Sequence, residues 1–119
     1  MTITFEAKFV HCSEAIGGEL LQVTFDSVDL KDEELRKTPY VLLGQSFEFP
    51  SPPTIEWHDG NEYDGGGIQS ILLFRNAVRI VTDTGTGFGI TFSISNDLYS
   101  KLVEYLRGIF PRIEIADNP

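Results

Sequence analysis

The chain has 119 residues, 41% of them hydrophobic and 23% charged, with 9 basic against 18 acidic residues and a formal net charge of −9. That length suits one compact domain that buries roughly 65% of the surface its unfolded chain exposes, and the composition excludes wholesale disorder. The charge argues against unassisted binding to nucleic acid or to an anionic membrane, both of which need a basic face. It fits a soluble protein, or one that meets a basic partner.

Cys12 is the only cysteine, which excludes an intramolecular disulfide and a cysteine-based zinc cage. The opening Met1-Thr2-Ile3-Thr4-Phe5-Glu6 has neither a basic segment nor a long apolar run. No signal peptide or membrane span is read there, and a cytoplasmic protein is expected.

The dominant period along the chain is two. Ile3, Phe5, Ala7 and Phe9 alternate with polar residues as one strand with one wet face. After a turn at Gly17-Gly18, Leu21, Val23 and Phe25 alternate in the same way, and the two segments read as an antiparallel pair. Asp29 to Lys37 reads as a short surface helix or loop, with acids first and bases last as the helix dipole prefers. Tyr40 to Phe49 is a long strand with Val41, Leu43, Phe47 and Phe49 in phase, ended by Pro50-Ser51-Pro52-Pro53. Ile55 and Trp57 mark a short strand, and His58 to Gly67 a polar loop.

Ile68 to Phe74, Ala77 to Asp83 and Phe88 to Ser95 form a three-strand meander with turns at Arg75-Asn76 and Thr84-Gly85-Thr86-Gly87. Asn96 is placed to cap a helix starting at Asp97, with an apolar stripe of Leu98, Leu102, Tyr105, Leu106 and Ile109. Gly108 interrupts or caps it, and Pro111 stops it. The sum is a single α+β domain over residues 1–119. It is a mostly antiparallel sheet of about six to seven strands with one C-terminal helix packed on one face. Phe88, Ile90, Phe92 and Ile94 are expected to bury against Leu98, Leu102 and Leu106.

The motifs that suggest catalysis dissolve on inspection. Asp83-Thr84-Gly85 has the composition of an aspartic-protease turn, but only a strand and a helix follow it. Asp83 is therefore expected to accept N–H bonds within an ordinary turn. Gly85-Thr86-Gly87-Phe88-Gly89 joins two strands with no lysine nearby, unlike a phosphate loop that opens a helix. His11 and Cys12 are adjacent in an extended segment, so they point to opposite faces and cannot share an ion; Cys12 reads as a half-buried, inert thiol. Asp59-Gly60-Asn61-Glu62-Tyr63-Asp64 superficially resembles a calcium loop, but Tyr63 and Asp64 occupy positions where that loop needs Asp or Asn and Gly. No catalytic residue, cofactor or metal ligand is assigned, and no enzymatic activity is expected.

Charge and shape remain. From Tyr40 through Ser70 there is no lysine or arginine, while Glu48, Glu56, Asp59, Glu62 and Asp64 fall inside that stretch with Trp57 and Tyr63 between them. Glu56, His58, Asp59, Glu62, Tyr63 and Asp64 form the candidate partner-binding face, with Tyr63 as aromatic anchor. The competing reading puts Trp57 in the core with Ile55 and leaves the acids merely solvated.

The block Leu42-Leu43-Gly44-Gln45-Ser46-Phe47-Glu48, then Thr54-Ile55-Glu56-Trp57, then Gly66-Gly67-Ile68-Gln69-Ser70-Ile71-Leu72-Leu73 resembles the immunity protein 10 family of bacterial polymorphic toxin systems. The closing strand Ile90-Thr91-Phe92 and the helix end Leu106-Arg107-Gly108-Ile109-Phe110 are similar to that family's endings, so the resemblance covers roughly residues 40–110. It implies a cytoplasmic protein, encoded beside a toxin, that neutralises that toxin by binding it. It brings no catalytic residues and no partner-binding residues of its own. Three readings follow: a non-enzymatic immunity-type protein whose partner is a cognate toxin domain, a small-ligand or sugar-binding module, and, a distant third, a hydrolase built on Asp83. An exposed edge strand leaves homodimerisation open.

Overall fold

The computed structural model describes residues 2–15, 20–27, 38–46 and 52–116. The turn expected at Gly17-Gly18, the helical turns at Asp29 to Lys37, and Phe47 to Ser51 lie outside these residues. The elements are β1 (Thr2–Ala7), β2 (Phe9–Ala15), β3 (Leu20–Asp26), β4 (Tyr40–Ser46), β5 (Thr54–His58), β6 (Tyr63–Phe74), β7 (Ala77–Thr82), β8 (Gly87–Phe92), α1 (Asn96–Ile109) and β9 (Glu114–Ile115). The strand order is β1-β8-β7-β6-β5-β4-β3-β2, with β9 beside β6. Only the β1–β8 and β6–β9 pairs are parallel. This is the expected α+β architecture, a mostly antiparallel sheet with one helix towards the C-terminus, at nine described strands rather than six or seven.

Two of the extra strands come from the N-terminus and from beyond the helix. The segment that alternates through Ile3, Phe5, Ala7 and Phe9 is not one strand. It bends at Lys8, and β1 then pairs with β8 while β2 pairs antiparallel with β3. The bend shifts the phase by one residue, so Val10 and Cys12 turn to the core, while Phe9 lies over His11 on the outer face, ring planes 2° apart. After Pro111, Glu114 and Ile115 return beside Leu72 and Leu73, a pairing too short for periodicity to show.

β6 holds the two halves together. Tyr63 to Gly67 pair with β5, and Ile68 to Phe74 pair with β7, with a bulge between Ile68 and Ser70. The strand therefore leaves one half-sheet and enters the other, as strands do at the corners of packed sheets. The polar loop expected from His58 to Gly67 is consequently much shorter: β5 includes His58, and β6 already begins at Tyr63. Gly65 makes this pairing possible, since a Cβ there would stand 2.9 Å from the Ile55 carbonyl oxygen.

The folded-over halves meet through aromatic contacts. Trp57 of β5 stands edge-on to Phe88 of β8, centroids 5.4 Å apart, and Phe25 of β3 stacks on Phe92 of β8 at 6.0 Å. Val23, Val41, Leu43, Val78, Ile80 and Ile90 are fully buried between them.

Helix α1 starts one residue earlier than expected. Ser95, not Asn96, is the cap, its Oγ accepting from Leu98 N–H at 3.1 Å. Asn96 instead accepts from Arg75 Nη2 at 2.8 Å. Leu102, Leu106 and Ile109 are buried as the stripe predicts, but the helix packs chiefly on β3, with β4 and β2, rather than on β8. Gly108 lies inside the helix, where a Cβ would come within 2.7 Å of Leu21 Cδ1, so it is the point of close helix–sheet approach. The expected burial of Phe88, Ile90 and Phe92 holds, with Ile94 half-buried, yet their cover is largely the opposite sheet half.

Phe92→Ala removes the ring that stacks on Phe25 in the centre of this core. We expect it to cost about 3–5 kcal/mol in urea melts; a loss under about 1 kcal/mol, the size of a surface substitution, would mean the ring does not sit in a packed core.

Candidate functional site

The outer face of β2–β6 is built by strand alternation. Because Phe25, Val41 and Trp57 point inward, their neighbours Asp26, Tyr40, Glu56 and His58 take the opposite phase on adjacent strands, although Asp26 is itself buried. Ser27 fixes the alignment: its N–H and Oγ both donate to the Pro39 carbonyl, at 3.2 and 2.8 Å, which sets Asp26 opposite Tyr40.

Glu56 is the centre of this face. Tyr40 Oη donates to its Oε2 at 3.1 Å and Tyr63 Oη donates to its Oε1 at 2.9 Å. The side chain is thereby held in one place by donors from β4 and β6. Burial, then the bond to Glu56 and its charge, push the Tyr40 hydroxyl up to about 12, and the Tyr63 hydroxyl is raised chiefly by its own bond to Glu56. Both phenols are therefore donors at neutral pH. The His58 ring stacks on Tyr40 at 6.2 Å, and its Nδ1 accepts from Gly60 N–H at 2.9 Å.

The hairpin beyond is tied by its own acids. Asp59 Oδ1 accepts from Glu62 N–H at 2.6 Å and Asn61 N–H at 2.8 Å, and these two bonds hold its carboxyl below the usual carboxylate range. Asp64 Oδ1 accepts from Gly65 N–H at 2.8 Å. Of the six expected face residues, Glu56, His58 and Tyr63 come together; Asp59 and Asp64 have a backbone role as well as a charge; Glu62 is exposed at the tip. Tyr63, 61% exposed, is one of two large exposed hydrophobics among the described residues. Trp57 is core with Ile55, as the competing reading has it, so it is no part of the face.

Tyr40 and Asp26 are the residues that sequence reasoning missed. Asp26 is 3% exposed, and its Oδ2 has no hydrogen-bond partner among the described residues. Burial pushes its carboxyl up to about 6, with His11 drawing it partway back. The signal available was the outward phase of Tyr40 and Asp26 in their strands; what it lacked was the register joining them.

The remaining motifs fall elsewhere. Asp83 is exposed in the β7–β8 turn, and the expected N–H acceptor there is Thr82 instead, whose Oγ1 takes the Thr86 N–H at 3.1 Å. The glycine run from Gly85 starts in the β7–β8 turn and continues into β8, which begins at Gly87. His11 is outside and Cys12 half-buried, its thiol pushed up to about 11 by burial, partly offset by the charge of Lys101. Among the described residues no group of three or more His, Cys, Asp or Glu side chains could hold a metal ion, and no helix is long and apolar enough to cross a membrane. A shallow, largely apolar trough of about 730 Å³ runs along the outer face of β1, β8 and β7, edged by Thr2, Thr4, Arg79 and Thr91.

The buried carboxyl gives a signed pH effect. Its folded value, about 6, lies above the ordinary 3.8, so the folded state holds the proton more tightly. Its contribution to stability is complete below about pH 3.8 and is lost as pH rises through about 6. Asp26→Asn removes this dependence, so the stability of wild type relative to the variant should fall by about 1–3 kcal/mol between pH 4 and 7 in paired urea melts. Parallel curves would show that Asp26 ionises as freely folded as unfolded.

No family model, curated protein or solved structure matches the chain.

Proposed function

We propose that the chain is a non-enzymatic binding protein of the immunity type, which neutralises a cognate toxin domain in the cytoplasm by holding it on the β5–β6 face. The observation that carries this reading is the Glu56 carboxylate fixed between two tyrosine hydroxyls, on a stretch from Tyr40 through Ser70 without lysine or arginine. A chain of net charge −9 with such a face attracts a basic protein surface. The exposed Tyr63 ring supplies the aromatic contact that interfaces favour. The resemblance to the immunity protein 10 family supports the same reading. A small-ligand module is the second reading, favoured by the trough on β1, β8 and β7.

The test is association with the protein encoded beside this one, at low and high salt. Asp59→Asn/Glu62→Gln/Asp64→Asn, which keeps side-chain shape and removes rim charge, should slow association about tenfold at low salt and leave dissociation nearly unchanged. A triple variant that associates as fast as wild type would exclude this face.

A further inference from the structure

We infer that the Tyr40–Glu56–Tyr63 cluster is a receptor for a single arginine side chain of the partner, with the guanidinium on the Glu56 carboxylate and against the Tyr63 ring. The inference rests on the reading of this face as a binder of basic protein, and names the group that the face takes.

Three observations converge on it. Glu56 accepts one bond at each oxygen, from Tyr40 and from Tyr63. A carboxylate has about four acceptor positions, so one on each oxygen remains for the paired N–H groups of a guanidinium. The two tyrosines also fix the rotamer, so the acceptor is ordered before any partner arrives.

The second observation is Asp26. Its side chain lies on Tyr40's face, opposite it in register, nine-tenths or more buried and with Oδ2 unpartnered among the described residues. A buried polar atom left this way calls for a compensating group. His11 of β2 already draws on that carboxylate from one side, and a cation laid beside Tyr40 adds positive charge from the β4 side.

The third is that four of the chain's rings already carry one of its own cations. Arg75 lies over Tyr99 at 4.7 Å, Arg79 over Phe74 at 5.3 Å, Lys101 over Tyr105 at 5.6 Å and Arg112 over Phe110 at 5.1 Å. Among the described residues the Tyr63 ring has no such cation and the Tyr40 ring is stacked on His58, although both flank a carboxylate. Arginine fits better than lysine because its planar fork meets both carboxylate oxygens and its face stacks on a phenol ring.

The experiment titrates the full chain with acetylated octapeptides alternating glycine with arginine, with lysine or with glutamate, following the Tyr40, Glu56 and Tyr63 resonances by NMR. The arginine peptide should bind saturably and several-fold more tightly than the lysine peptide, with the glutamate peptide silent. Glu56→Gln should weaken it about tenfold, whereas Glu14→Gln, the same charge change on exposed β2, should weaken it less than about twofold. Tyr63→Ala, at a position 61% exposed, should also weaken it. Equal binding of the arginine and lysine peptides, or equal effects of Glu56→Gln and Glu14→Gln, would overturn the receptor. If the neighbouring protein nevertheless associates in a manner sensitive to the rim charges, the binding reading stands without it. No saturable shift with any peptide, and no association with that protein, would overturn both.

Discussion

One strand belongs to two half-sheets, and the remaining structure follows from that. β6 bonds β5 with Tyr63 to Gly67 and β7 with Ile68 to Phe74, so the sheet must fold over on itself where the partner changes. The fold brings Trp57 against Phe88 and Phe25 against Phe92, closing a core that neither half could close alone. It also decides what is left outside. With Ile55 and Trp57 committed to the core, Glu56 and His58 have only the outer face, and the start of β6 delivers Tyr63 beside Glu56.

What the sequence revealed and what it concealed divide along range. Strands whose inward residues alternate cleanly, such as Phe88, Ile90 and Phe92, were legible because the period is local. The break at Lys8 was not, since Phe9 continues the apolar alternation while facing outward over His11. Glycines and acids made residues 63–67 look like loop, yet pairing with β5 overrides their low strand propensity. The helix stripe announced that Leu102 and Leu106 are buried but not on which strands, because an apolar side chain is satisfied by any apolar cover. The candidate site was half legible for the same reason. Glu56, His58 and Tyr63 lie within one hairpin, whereas Tyr40 and Asp26 reach them only through registers between β3, β4 and β5.

Charge is distributed unevenly over this frame. Arg75, Arg79, Lys101 and Arg112 each lie over an aromatic ring, and they belong to the β6–β7 turn, β7, α1 and the segment after it. The acids of the β5–β6 hairpin lie within a stretch, Tyr40 through Ser70, that contains no lysine or arginine. Asp59 and Asp64 stabilise the turn through backbone N–H groups while keeping their charge, so the hairpin gains rigidity without losing its field. A hairpin stabilised only by neutral residues would be equally well formed and would steer nothing.

The rigidity of Glu56 bears on how such a face would work. A glutamate free on a strand surface must give up side-chain entropy when it pairs, which is why exposed ion pairs contribute so little. Here two phenol hydroxyls already impose that order, so the cost falls on folding and not on association. In the proposed complex the labour then divides by position. Charges at the hairpin tip act on the approach of a basic surface, while the half-buried carboxylate between its tyrosines acts on how long that surface stays. The rim acts through its charge, but the centre requires the geometry of Tyr40, Glu56 and Tyr63 together. Discrimination between two equally basic partners therefore lies with the centre, where the shape of the arriving cation matters, and not with the net charge of the chain.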